Sequence, residues 1–262
     1  MAPLRVGVFG AAGRMGLAVC AAVDADPDLQ LVAAVDPARA GAPVGRAGLV
    51  TAPGPEAMAE AGVEVAVDFT VAAAAEANLA WCAGHGVHVV VGTTGLAPAA
   101  VGDLEARFGP GPANCVLAPN FAIGAVLMMR FAELAAPWFE SVEVVELHHD
   151  AKRDAPSGTS VLTAQRVAAA RGAAELTPGP AGGEAAPAAR GQEAAPGVRV
   201  HSVRLRGLVA HQEVIFGTTG ETLTIRHDSL DRASFMPGVL LAIKQVPQRR
   251  GVTLGLDALL GL

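Results

Sequence analysis

Between Glu146 and Ser160 the chain reads Glu146-Leu147-His148-His149-Asp150-Ala151-Lys152-Arg153-Asp154-Ala155-Pro156-Ser157-Gly158-Thr159-Ser160. No other stretch is so crowded with groups that can move protons or hold anions. Imidazole titrates near neutral pH, which makes His148 a candidate proton donor, while His149 taken alone could equally be structural. Of 19 basic residues only Lys152 and Lys244 are lysines. Where a bare positive charge suffices this chain uses arginine, so Lys152 marks a place for a compact, titratable ammonium. Its plainer alternative is an ordinary solvated lysine. Ser157, Gly158 and Thr159 offer hydroxyls and, at a helix start, backbone N–H groups suited to a carboxylate. Adjacent histidines on a strand point to opposite faces, a poor chelate, and no metal site is expected.

These groups need elements to hold them. The run Val142 to Leu147 reads as a strand, and the apolar-periodic run Val161 to Val167 after Ser157-Gly158-Thr159 reads as a helix. Both histidines and Lys152 therefore fall at a strand end and in the turn that follows.

A second constellation lies near the start. The β-branched run Arg5 to Phe9 leads into Gly10-Ala11-Ala12-Gly13-Arg14-Met15-Gly16 and a helical stretch, Leu17 to Val23. Glycines at this spacing between strand and helix permit a tight turn and close approach of a pyrophosphate to the helix N-terminus. A second strand, Leu29 to Val35, ends at Asp36, where an acid can bind ribose hydroxyls; Arg39 is placed to reach a 2′-phosphate. The reading is a dinucleotide site using NADPH or NADH, with a plain tight strand-helix turn as the alternative.

Strand and helix signals keep alternating: Val63 to Phe69, Ala72 to Ala83, Val87 to Val91, Pro98 to Phe108, Cys115 to Ala118. That pattern predicts an α/β fold, a doubly wound parallel sheet covered by helices. The strand ends carry Asp68-Phe69-Thr70, Gly92-Thr93-Thr94-Gly95 and Ala118-Pro119-Asn120-Phe121, where ligands of open α/β sheets bind. Ordinary turn chemistry would use the same residues. From Ala122 a helix should run to about Phe139. Val198 to Leu205, Gln212 to Phe216 and Glu221 to Arg226 read as strands that join Val142 to Leu147 in a separate, mixed sheet. The Ala/Pro/Gly-rich segment Gly172 to Gly197 reads as a long loop, Asp231 to Val246 as a closing helix, and Val252 to Leu256 as a strand returning to the first domain.

With 262 residues, 52% hydrophobic and 17% charged, the chain has material for one large or two modest domains. A net charge of -6 with scattered basic residues argues against a nucleic-acid binder. No apolar run approaches the ~18 residues that cross a bilayer. The start passes directly into Leu4 to Phe9 with no secretory pattern, and a cytoplasmic location is expected. Cys20, Cys82 and Cys115 are odd in number and far apart, which fits free buried thiols.

On the glycine turn, Val67-Asp-Phe-Thr70, Gly92-Thr-Thr-Gly95, Ala118-Pro-Asn-Phe121 and above all Glu146 to Thr159, the chain resembles the 4-hydroxy-tetrahydrodipicolinate (dihydrodipicolinate) reductases. The resemblance spans nearly the whole chain. It implies a Rossmann-like domain from residues 1–121 and 237–262, around a central α+β substrate-binding and tetramerisation domain, 122–236, with a mixed sheet. It also implies NAD(P)H-dependent reduction of a small dicarboxylate in the diaminopimelate route to lysine, by a homotetramer. Carried over by position, His148 and Lys152 are catalytic, and His149, Ser157, Gly158 and Thr159 contact substrate. Gly10, Ala11, Ala12, Gly13, Arg14, Met15, Asp36, Gly92, Thr93, Thr94, Ala118, Pro119, Asn120 and Phe121 hold the cofactor. On this reading His148 is the general acid, and Lys152 orients the substrate or donates the proton. Pro37 stands where the family often has an arginine, leaving the NADH or NADPH preference open.

Two other readings share the architecture. A different nicotinamide-dependent dehydrogenase is one, but an acylating semialdehyde enzyme needs a cysteine beside a base, and none of the three has one nearby in sequence. A non-catalytic NAD(P)-binding sensor is the other. It would keep the glycine turn without needing His148, Lys152 and Ser157-Gly158-Thr159 together.

Overall fold

A continuous apolar run buried on both faces belongs in the middle of a parallel sheet, and Leu4–Phe9 (β1), whose last four residues are all buried, sits there. The computed structural model describes residues 2–46, 48–171 and 187–262. These fall into two compact units, Met1–Ala122 with Phe235–Leu262, and Ile123–Ser234.

In the first unit β1 is followed by α1 (Arg14–Ala25), β2 (Leu29–Val35), the short pair β3 (Pro43–Val44) and β4 (Leu49–Val50), and α2 (Glu56–Glu60). Then come β5 (Val65–Asp68), α3 (Ala72–His85), β6 (His88–Val91), α4 (Pro98–Phe108) and β7 (Cys115–Leu117). With β13 (Val252–Leu254) from the end of the chain, six strands form one sheet in the order β13-β7-β6-β5-β1-β2, every pair parallel. The chain leaves β1 towards β2 on one side and returns to β5 on the other. In open α/β sheets such a reversal is where a ligand crevice forms, here at the carboxyl ends of β1 and β5. Phe9, Met58, Leu79 and Phe108 pack one core cluster of the unit.

In the second unit, α5 (Ile123–Ala135) precedes β8 (Ser141–His148), α6 (Gly158–Arg171), β9 (Gln192–Ala195), β10 (Val198–Arg204), β11 (Ala210–Thr218) and β12 (Glu221–Ser229). The mixed sheet runs β12-β11-β8-β10-β9, with β8 parallel to β10 and antiparallel to β11. Val142, Val144 and Glu146 are buried while Ser141, Glu143, Val145 and Leu147 are partly exposed. Period-two alternation of this kind marks a sheet with one covered face. Both α5 and α6 pack on this unit's strands. Elsewhere, α7 (Met236–Gln245), β13 (Val252–Leu254) and α8 (Asp257–Leu260) complete the first unit.

Buried Asn114 fastens the returning segment beside β7. Its Nδ2 donates to the carbonyls of Val246 and Pro247 at 3.1 and 3.2 Å, and its Oδ1 accepts the Gly251 N–H at 3.0 Å.

Several expectations shift. The loop expected over 172–197 contains a strand, since Gln192–Ala195 pairs antiparallel with the start of β10; residues 172–186 lie outside the described residues. An alanine-rich edge strand has little propensity of its own, and pairing to the valines of β10 makes it. The helix expected to Phe139 ends at Ala135 and tightens to a 3-10 turn at Pro137, where a proline removes a donor. Asp231 to Val246 is not one helix either: a 3-10 turn, Arg232–Phe235, precedes α7. Among the described residues no helix is long and apolar enough to cross a membrane.

Candidate active site

The glycine turn after β1 is built as the spacing requires. Gly10 has φ +68°, a conformation that L side chains rarely adopt. A Cβ on Gly16 would stand 2.1 Å from the Gly10 carbonyl oxygen, and one on Gly13 would stand 3.0 Å from it. Gly13 caps α1 with no side-chain hydrogen bond and no acid in the first turn. The helix therefore presents uncompensated N–H groups where a pyrophosphate fits. Asp36, at the end of β2, accepts the Ala12 N–H through Oδ2 at 3.1 Å, and Arg39 Nη1 donates to the Ala12 carbonyl. Both residues thus grip the peptide of Ala12 from its two sides.

The strand-end loops of the same unit are bound to one another, with Asp68 at the centre. Asp68, fully buried, accepts the Thr93 hydroxyl and the Thr70 hydroxyl, each at 2.7 Å, the Thr70 N–H at 2.9 Å and Asn78 Nδ2 at 2.7 Å. Gly92 leaves room for Phe69, whose ring would meet a Cβ there at 2.0 Å. Phe69 in turn lies 5.6 Å from Phe121, ring centre to ring centre. Asn120 Oδ1 caps the loop by accepting the Ala122 N–H at 2.8 Å. Thr93, Thr94, Gly95, Leu96, Pro119 and Gly255 line a cavity of about 330 Å³ within this unit.

The polar stretch of the second unit is organised by a residue that sequence reasoning passed over. Glu146, with no solvent exposure, points into the face that carries α6. Its Oε2 meets His148 Nδ1, two residues along the same face of β8. A carboxylate can only accept, so the imidazole proton is on Nδ1 and Nε2 is the nitrogen left to exchange protons. Arg204, opposite His148 in the parallel β10, grips both carboxylate oxygens at 2.8 and 2.9 Å. Arg204 Nη2 also donates to the Asp154 carbonyl at 2.6 Å. Glu146 Oε1 further accepts the Ser157 N–H at 3.2 Å. Burial by itself raises the Glu146 pKa, but hydrogen bonds from His148, Arg204 and Ser202, with the charge of His148, bring it down to about 2. The site holds a buried, ionised carboxylate.

Ser157 is turned inward at the start of α6. It is buried, its N–H is taken by Glu146, and its Oγ shares a hydrogen bond of 2.8 Å with Ser160 and accepts the Ser160 N–H at 3.3 Å. An inward hydroxyl at this position caps the helix rather than facing a ligand. Ser160 passes the chain of bonds to Gln212 on β11 at 2.7 Å, and Gln212 reaches Thr163 at 2.8 Å. Gly158 and Thr159 open α6, Gly158 being exposed with nothing within 4 Å of an added Cβ. Lys152 is bound to both oxygens of Asp154 at 2.8 Å, and no hydrogen bond links it to His148. Its ammonium holds the Asp154 carboxyl below the usual range. His149 is exposed in the turn, its carbonyl accepting the Lys152 N–H at 3.2 Å.

Cys20, Cys82 and Cys115 are free and buried, and burial pushes Cys20 and Cys115 up to about 12 and Cys82 higher still. Such thiols are inert as nucleophiles at neutral pH.

A parallel doubly wound sheet with a glycine turn at its first strand, joined in one chain to a mixed-sheet unit with a carboxylate-bound histidine, defines a nicotinamide-dependent oxidoreductase. The chain belongs to the dihydrodipicolinate reductase family. Residues 4–121 match the family model for its N-terminus and residues 124–260 the model for its C-terminus. The 4-hydroxy-tetrahydrodipicolinate reductase of Nocardia farcinica is 53% identical over 260 residues, 99% of each chain. That of Streptomyces coelicolor is 51% identical over 263 residues, the full length of both. A dipicolinate-bound dihydrodipicolinate reductase from Paenisporosarcina sp. TG-14 superposes with a TM-score of 0.86 at 36% identity, covering 98% of this chain and 99% of that one.

Proposed function

We propose that this protein reduces 4-hydroxy-tetrahydrodipicolinate to tetrahydrodipicolinate with NADPH or NADH, in the diaminopimelate route to lysine. The observation that carries the reading is the Glu146 junction, which holds a proton-exchanging histidine and the start of an anion-binding helix on one carboxylate. Overall the reaction takes up a hydride and a proton and releases water.

Residues 1–121 and 237–262 form the cofactor domain in this reading. Gly10 to Met15 cradle the pyrophosphate against α1, and Asp36 takes a ribose hydroxyl or Arg39 a 2′-phosphate, which gives both cofactors a partner. The loops at Gly92 to Thr94 and Ala118 to Phe121 take the nicotinamide half. When bound, the reduced nicotinamide supplies the hydride.

Residues 122–236 form the substrate domain. Gly158 and Thr159 bind one substrate carboxylate at the start of α6. Lys152 leaves Asp154 for the other carboxylate, and His149 adds a contact from the turn. His148 gives the proton on Nε2 to the enamine carbon left by hydride addition, while its Nδ1–H stays on Glu146. The sheet face opposite α5 and α6, carrying Val145, Leu147, Val203 and Ile215 on adjoining strands, serves homotetramer assembly. The buried free thiols suit a reducing cytoplasm.

The test is oxidation of NADPH and of NADH by the purified protein, with substrate made in situ from pyruvate and aspartate semialdehyde. Substrate-dependent oxidation is expected with both. Cofactor binding without turnover would refute the reading, and an active His148→Gln variant would remove His148 as the acid. Solution mass separates a tetramer from a monomer.

A further inference from the structure

Five groups converge on the carboxylate of Glu146, and they come from three separated parts of the second unit: His148 on its own strand, Ser157 ahead of α6, and Ser202 with both terminal nitrogens of Arg204 from β10. The carboxylate has no solvent exposure, and the side chains of His148 and Arg204 are exposed by only 15% and 19%. A buried carboxylate that merely balanced a buried arginine would need neither the histidine nor the loop N–H. Here Oε2 is divided between His148 and Arg204, and Oε1 between Ser157 and Arg204.

We propose that Glu146 is the positioning residue of this site: anchored by Arg204, it keeps the His148 proton on Nδ1 and sets the distance from His148 to the anion-binding start of α6. This rests on the functional reading above and deepens it. Because Nδ1–H donates to Glu146 before and after the reaction, only Nε2 gives up and regains a proton. The carboxylate of a Ser-His-Asp triad holds its histidine in the same sense. The second half of the proposal has no counterpart there. The same anion fixes Ser157 and through it the first turn of α6, so the proton donor and the substrate carboxylate are registered to one atom group.

Arg204 is what makes the arrangement possible at this depth. Its fork matches both carboxylate oxygens, which a lysine cannot do. Its further bond to the Asp154 carbonyl extends the hold to the segment that carries Lys152.

The experiment compares wild type, Glu146→Gln, Arg204→Lys and His148→Gln as full-length enzymes. The readouts are steady-state kinetics, NADPH affinity by fluorescence, and the histidine side-chain nitrogen spectrum, in which His148→Gln assigns the His148 signals. For Glu146→Gln we expect kcat to fall on the order of 100-fold and substrate KM to rise, with NADPH affinity unchanged. The spectrum should change from the Nδ1–H tautomer to a mixture, because a glutamine amide can donate to Nδ1 as well as accept from it. A purely structural glutamate would leave the tautomer alone. Arg204→Lys should keep the tautomer and raise KM, and it carries the test of the anchor if Glu146→Gln does not fold. The proposal is overturned by a folded Glu146→Gln with kcat within threefold of wild type, by an unchanged His148 tautomer, or by Arg204→Lys with wild-type KM. An active His148→Gln would instead refute the role given to His148, and the two failures are told apart by that variant.

Discussion

Asp68, at the last position of β5, accepts the hydroxyl of Thr93 from the loop after β6 at 2.7 Å, and so locks two neighbouring strand ends of the parallel sheet together. The same carboxylate holds both polar groups of Thr70. Asp68 thereby fixes the loops that, on the reading proposed above, take the nicotinamide half of the cofactor. Asp68→Ala should leave Thr93, Thr70 and Asn78 short of an acceptor, at about 1–3 kcal/mol for each buried group. Cofactor affinity should drop about tenfold, the equivalent of ~1.4 kcal/mol. Urea unfolding and NADH titration check this, and an unaltered dissociation constant would mean that the loops hold their shape unaided.

The glycine turn predicts a graded pair. Alanine at 16 would place a Cβ 2.1 Å from backbone oxygen, whereas alanine at 13 meets the same oxygen at 3.0 Å. Gly16→Ala should abolish measurable cofactor binding. Gly13→Ala should weaken it by a factor of about ten, again ~1.4 kcal/mol. Equal effects in a fluorescence titration would contradict this account of the turn.

Lys152 is held by Asp154, a pair whose acid is largely exposed. On the proposed reading a substrate carboxylate competes with Asp154 for this ammonium. Removing the competitor in Asp154→Ala should lower substrate KM about threefold, within the ~0.2–1 kcal/mol that exposed pairs supply. A raised KM would show instead that Asp154 aims the lysine.

Acid stability follows from Glu146. Its carboxyl is at about 2 in the folded protein against an ordinary 4.5. A group whose pKa is depressed by folding stabilises the fold above its unfolded pKa. That contribution is lost as pH falls through the folded value, which places the loss between about 4.5 and about 2. The shift corresponds to about 3 kcal/mol. Urea unfolding from pH 6 to pH 2.5 should show this decline, and in Glu146→Gln it should be shallower, the remainder coming from acids such as Asp154 that are also held below their ordinary range. Equal slopes for the two proteins would exclude Glu146 as its source.

Much of this was legible in the chain because it is local. Gly10 to Gly16 stand where the apolar period switches from strand to helix, and His148, Lys152 and Thr159 lie within one short run. The centre of the second unit was not legible in the same way. Glu146 reads as one more polar position in a strand, and only the parallel register of β8 with β10 brings Arg204 to it from 58 positions away. Gln212 arrives at Ser160 by the same kind of long-range pairing. The motif does not show that the Ser157 hydroxyl is buried against Ser160 at the helix start. Strand β9 escaped because its residues favour no structure until β10 is beside them.

The returning strand β13 has a consequence for how the molecule is made. The Asn114 side chain and the outer edge of β7 find their partners in residues 246–254, which leave the ribosome after the whole second unit. At translation speeds of about 5–20 residues per second, the nascent first sheet waits on the order of ten seconds with one edge unpaired. During that interval the emerging chain presents an open β edge to its neighbours on the polysome.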